Sequence, residues 1–205
     1  MLDLNHVGLS RHRPRRSWTH RRSSLRYRPI LVAGAIALLL PLALISPARS
    51  DTSSLLRQAQ TAQREERYPE AADLWRQLAF QWPDSAETSY NLGVALHHQF
   101  KIDEAADAYL TATVLNPSHR EAYINLSLAR IQLQQYDQAL AAIDQVLTLS
   151  DRPSKPASIH TMAHYNRAIV LGRQGKVEAS LAEVQAALAI TPDFVQAQEL
   201  IEIIQ

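Results

Sequence analysis

Cysteine is absent from the 205 residues, and glycine occurs only 5 times. Without thiols there is no disulfide framework, no thiolate zinc site and no cysteine nucleophile. So few glycines, none in a phosphate-cradling run, exclude a P-loop and a dinucleotide fingerprint. Charge of one sign is missing too, because no acid lies between Asp3 and Asp51. Residues 1–50 hold 9 Lys and Arg against 1 acid, a balance of +8, whereas residues 51–205 hold 12 against 19, or −7. The overall +1 therefore conceals two segments of opposite character.

The first segment is ordered as an export signal. Eight arginines fall between Arg11 and Arg28, making 1–29 a basic region. The uncharged window from Pro29 to Ala48 follows, with an apolar centre at 30–48 that Pro41 interrupts. Such a window reaches the roughly 20 residues that a membrane-crossing helix needs. Ala48 and Ser50, three and one positions before Asp51, supply the small-x-small pattern of a cleavage site. Cleaved signal peptide and retained transmembrane signal anchor both fit. The arginine-rich flank places the remainder on the non-cytosolic face, a bacterial periplasm or a lumen, by the positive-inside bias. The pairs Arg15-Arg16 and Arg21-Arg22 match a twin-arginine signal only in part, and an arginine-rich, acid-poor leader also suits an organellar transit peptide. A nucleic-acid arm is set aside: a basic run ending one residue before a membrane-length apolar segment faces anionic headgroups.

The second segment repeats itself. Pro83 and Pro117 stand 34 apart, each preceded by a small residue at the same distance (Ala71, Ala105) and an aromatic (Trp75, Tyr109). With those prolines at position 32, units cover 52–85 (degenerate in its first half), 86–119, 120–153 and 161–194. An inserted loop at 154–160 and a capping helix at 195–205 complete the division. The second unit has Tyr90-Asn91-Leu92-Gly93 at positions 5 to 8 and Ala105, Tyr109 and Ala112 at 20, 24 and 27. Ala139 and Ser180 are the position-20 residues of the third and fourth units. Each unit holds two apolar stretches at helical spacing around a short polar break, which suits a helical hairpin. Small side chains at 8 and 20 suit a close helix crossing, where Gly93 is expected to meet Ala105. This period and these positions resemble the tetratricopeptide repeat. The resemblance implies an all-α solenoid of four helix-turn-helix repeats with a C-terminal capping helix, behind an N-terminal hydrophobic helix.

Catalytic and metal readings find little to stand on. His160 and His164 are four apart, as paired helix ligands would be, but no third ligand is in view, and the adjacent His97 and His98 point in different directions. No nucleophile, base and orienter converge, so the chain reads as a non-enzyme without cofactor. The resemblance instead implies a concave peptide groove on the first helices. The stripe at positions 5 and 9 reads Tyr90, Val94; Ile124, Leu128; Tyr165, Ile169, with Asn91, Asn125 and Asn166 at position 6 able to bond a peptide backbone. Packing against the neighbouring repeat explains the same stripe equally well. The −7 balance favours a neutral or basic protein or peptide partner, with a membrane contacted through the N-terminal segment and no nucleic acid. The expected function is a scaffold or assembly factor; the alternative is a non-catalytic accessory subunit of an envelope or thylakoid enzyme complex.

Overall fold

A computed structural model describes residues 49–204. The basic region and the apolar window lie outside these residues. Among the described residues the chain is all-helical, with nine helices: α1 (Arg49–Arg64), α2 (Tyr68–Gln81), α3 (Ala86–His98), α4 (Ile102–Leu115), α5 (Arg120–Gln132), α6 (Tyr136–Thr148), α7 (Ile159–Arg173), α8 (Val177–Ile190) and α9 (Val195–Ile204). Consecutive helices pack on one another throughout, and α5 also packs on α7, so four hairpins stack in series with α9 against α8. No helix among the described residues is long and apolar enough to cross a membrane.

The turn inside each hairpin has one construction. Position 15 is left-handed in all four units: Glu66 (φ 57), Phe100 (φ 59), Gln134 (φ 59) and Gly175 (φ 74). That conformation lets the next N–H reach back five residues, from Arg67 to the Ala62 carbonyl, Lys101 to Leu96, Gln135 to Arg130 and Lys176 to Leu171, at 2.8–3.1 Å. These are Schellman closures, which satisfy carbonyls left open at a helix end and reverse the chain. Only the fourth unit uses glycine, the residue that adopts this conformation without strain. Between hairpins, side chains cap the next helix: Ser85 Oγ accepts from Thr88 N–H, His119 Nδ1 from Ala122 N–H and Ser158 Oγ from Thr161 N–H.

Small side chains set the helix spacing, though not always by the expected contact. Gly93 lies under the Tyr109 ring: a β-carbon there would come within 2.6 Å of Tyr109 Cδ1 and Cε1. At this crossing the atoms nearest to Gly93 belong to the position-24 ring. Ala105 and Ala139 are fully buried nearby. In the fourth unit positions 8 and 20 do meet, Ser180 Oγ donating to the Ala168 carbonyl at 2.7 Å.

The insertion ends sooner than the repeat count implies. Residues 149–158 connect α6 to α7, so Ile159 and His160, counted in the loop 154–160, are the first turn of α7. Ile159 is buried, and helix formation extends the burial of α7 by that turn. Residues 150–156 are exposed, whereas Ala157 packs with Val184 and Phe194. Asp151 pins the junction, its Oδ1 accepting from the His160 and Arg152 N–H groups at 2.9 and 2.8 Å.

Candidate interaction surfaces

Along α3 and α5 the outward stripe falls at positions 2, 6, 9 and 13, the spacing i, i+4, i+7, i+11 of one helix face. It reads Glu87, Asn91, Val94, His98 on α3 and Glu121, Asn125, Leu128, Gln132 on α5. Position 5 turns toward the adjacent repeat. Ile124 is 6% exposed in a cluster with Ile143, Val146 and Ala163, and so leaves the groove expected for it. Tyr90 packs on the first two hairpins, its ring 5.9 Å from that of Tyr109 and 4.7 Å from that of His119. Burial, then the Glu121 and Glu87 carboxylates, raises its pKa, against the bond from Asn125. Tyr165 meets Phe194 edge to face at 5.3 Å. At position 9, Val94 and Ile169 rest on core clusters, whereas Leu128 is half-buried and joins none of them.

The three asparagines bond backward through the stack. Gln63 Nε2 donates to Asn91 Oδ1, Asn125 Nδ2 to Tyr90 Oη and Asn166 Nδ2 to Ser127 Oγ, at 3.2, 3.4 and 2.9 Å. Asn91 also donates to the Glu87 carbonyl and carboxylate. Asn166 is 5% exposed, which removes it from any ladder that a peptide could reach. On α7, the helix that follows the insertion, position 6 thus meets position 8 of the previous unit.

The histidines are each engaged within the fold. His160 Nε2 lies 2.8 Å from the Leu149 carbonyl, and His164 Nδ1 lies 2.7 Å from Glu183 Oε2. His98 stacks on Tyr68 at 4.1 Å, while burial, then its neighbour His98, pushes the pKa of His97 down. No group of three or more potential metal ligands occurs among the described residues.

A hollow of about 500 Å³, not expected from the sequence, lies on the opposite face. Leu110, Val114 and Pro117 form one wall, Gln138, Ala141 and Gln145 the other, and Tyr123 and Leu126 the floor between α4 and α6. Leu110 and Val114 are 43% and 71% exposed. The sequence did carry a signal, an apolar residue at position 25 in the second unit alone. Similarly missed were positions 3 and 10 of the first helices, where Ala122, Ala129, Ala163 and Val170 are fully buried between units.

A profile described as tetratricopeptide repeat matches residues 56–119, 100–157 and 124–194. The chain is 28% identical over 125 residues to human "Tetratricopeptide repeat protein 8", covering 61% of this chain and 22% of that protein. It is 30% identical over 115 residues to human "Protein O-mannosyl-transferase TMTC3", covering 56% and 12%. The chain thus spans less than a quarter of either relative. Among solved structures, MamA from Desulfovibrio magneticus RS-1 aligns with a TM-score of 0.65 at 17% identity, covering 76% of this chain and 84% of that one. YrrB, titled "a TPR protein with an unusual peptide-binding site", aligns with a TM-score of 0.65 at 20% identity over 74% of each chain. These structural likenesses establish the fold, and the profile spans most of the stacked hairpins: the chain belongs to the tetratricopeptide repeat family.

Proposed function

We propose that the chain is a non-catalytic scaffold, exported or membrane-anchored, that holds a neutral or basic segment of a protein partner along the outward stripe of α3 and α5. The observation that carries this reading is Leu128, an aliphatic side chain left between Glu121, Asn125 and Gln132 with no core cluster to join. An apolar side chain ringed by polar groups can be covered by a partner while its rim excludes water. Glu87 and Glu121 add carboxylates at equivalent positions of successive repeats, which favours a partner of positive or no charge. The family and the peptide-binding site named for YrrB support a peptide-binding role.

Delivery rests on residues 1–50, whose arginines precede an apolar window. Protease added after permeabilising the outer barrier should digest residues 51–205. Protection until the inner membrane is opened contradicts the topology. For binding, capture of membrane proteins by the wild-type chain should yield a partner whose recovery falls at least tenfold with Leu128→Asp, at unchanged helical content and melting temperature. Undiminished recovery contradicts the placement of the site.

A further inference from the structure

The repeat register defines three corresponding places along the second helices, between α2 and α4, between α4 and α6 and between α6 and α8, and the hollow lies at the middle one. Charge spans two of them. Between α2 and α4, Arg76 at position 25 reaches Glu104 at position 19 of the next unit, 3.6 Å away. Between α6 and α8, Asp144 at position 25 pairs with Arg167 on the floor. Arg167 also approaches Glu183 of the far wall at 3.7 Å, and His164 meets the same carboxylate at 2.7 Å.

In the middle furrow the same register positions are emptied of charge. Leu110 replaces Arg76 and Asp144 at position 25, Leu126 replaces Arg167 at position 7, and Ala142 replaces Glu183 at position 23. Gln138 stands where Glu104 completes the first bridge. What remains is an apolar slot with one cation at its end: Arg130, whose side chain is 13% exposed, which donates to Gln135 Oε1 at 2.5 Å, and whose carboxylate neighbour, Asp107, is 3.8 Å away and 79% exposed. A guanidinium this enclosed, bonded to a neutral amide and only loosely to a solvent-exposed carboxylate, has donors left for a charge-assisted bond to an incoming carboxylate.

The dimensions and chemistry of the slot select a helix. From Tyr123 to Arg130 the floor runs seven residues of α5, about 10 Å at the helical rise, or two turns of a docked helix. Three of its wall and floor elements are helices, so no sheet edge is present to pair the backbone of an extended peptide. Such a peptide would set unpaired N–H groups against Leu110, Val114 and Leu126, whereas a helix satisfies its own. We propose that this furrow is a second docking surface, distinct from the stripe around Leu128, that takes one amphipathic helix of a protein partner. The helix lays apolar side chains on Leu110, Val114, Tyr123 and Leu126 and places one carboxylate on Arg130.

The probe is a displayed library of helical peptides with one randomised face, selected against the full-length chain in detergent. Counter-selection uses the Leu110→Arg/Gln138→Glu variant, which copies the Arg76–Glu104 bridge into the middle furrow and should keep the melting temperature of the wild type. Enriched sequences should carry apolar residues at i, i+3, i+4 and i+7 with an acidic residue at one end. Replacing that acid by Lys should weaken binding at least tenfold on the wild type, and the difference should vanish on Arg130→Gln. Binding that survives the bridged furrow, or enrichment without the acid, overturns the proposal. So does self-association of the chain, seen by light scattering, that the bridged variant abolishes, since a second copy would then be the occupant.

Discussion

Gly93 leaves no room for a side chain above Tyr109: a β-carbon built on it would lie 2.6 Å from two carbons of that ring. Tyr109 is itself buried, its pKa raised first by burial and then by Tyr90, so the ring cannot swing into solvent without exposing an aromatic core residue. Gly93→Ala gains helix propensity of about 0.5–1 kcal/mol, yet overpacking costs about 1–3 kcal/mol. The variant should melt a few degrees lower, and Gly93→Leu lower still. Made in a Tyr109→Leu background, Gly93→Ala should cost less than it does alone, which a double-mutant cycle of melting curves reads directly.

The left-handed turns give a prediction of opposite sign. An L-residue in this conformation is strained by roughly 1–2 kcal/mol, and glycine removes that strain while loosening the unfolded chain by about 0.4–1 kcal/mol. Gln134→Gly should therefore stabilise the stack by about 0.5–1 kcal/mol in denaturant titration. Gly175→Ala should destabilise it, although nothing lies within 4 Å of the added carbon, because the cost is conformational alone. Phe100, 88% exposed in the same conformation, makes Phe100→Gly an independent replicate.

Acid should loosen the start of α7. Burial pushes the Asp151 carboxyl up, but bonds from the His160 N–H, the Ser158 hydroxyl and the Arg152 N–H outweigh it and hold its pKa below the usual carboxylate range. A pKa depressed on folding contributes stability above the unfolded value near 3.9 and loses it as pH falls through the folded value. Asp151→Ala should thus cost about 0.5–1 kcal/mol at neutral pH, the size of a lost first-turn acceptor. Below about pH 4 the gap between variant and wild type should close. A gap constant with pH would assign the effect to packing.

The repeat frame was legible because each position carries one recurrent physical demand. Positions 8, 20, 24 and 27 are buried in every unit: Ala59, Ala71, Trp75 and Leu78 in the first, whose opening half looked degenerate, match Gly93, Ala105, Tyr109 and Ala112 in the second. What the sequence blurred was rotation by one residue. Ile124 and Leu128 are both aliphatic and four apart, and only the tilt of α5 against α7 decides that one is core and the other outward. Asn166 shares the position-6 register of Asn91 and Asn125, and nothing in that register marks its amide as turned inward to Ser127. The charge-free furrow escaped notice because it shows only when position 25 is compared across units with the opposing walls in view.

The proposed function requires a partner on the outward stripe of α5. Site-specific photocrosslinking in cells tests it most directly, with benzoylphenylalanine placed at Leu128 and, as a control, at Gln185, an exposed residue of α8. One protein adduct is expected from position 128 and none from 185, with crosslinking at position 128 lost when the neighbouring Glu121 and Glu87 are both changed to Lys. Adducts at 185 but not at 128, or equal non-specific labelling at both, would contradict it.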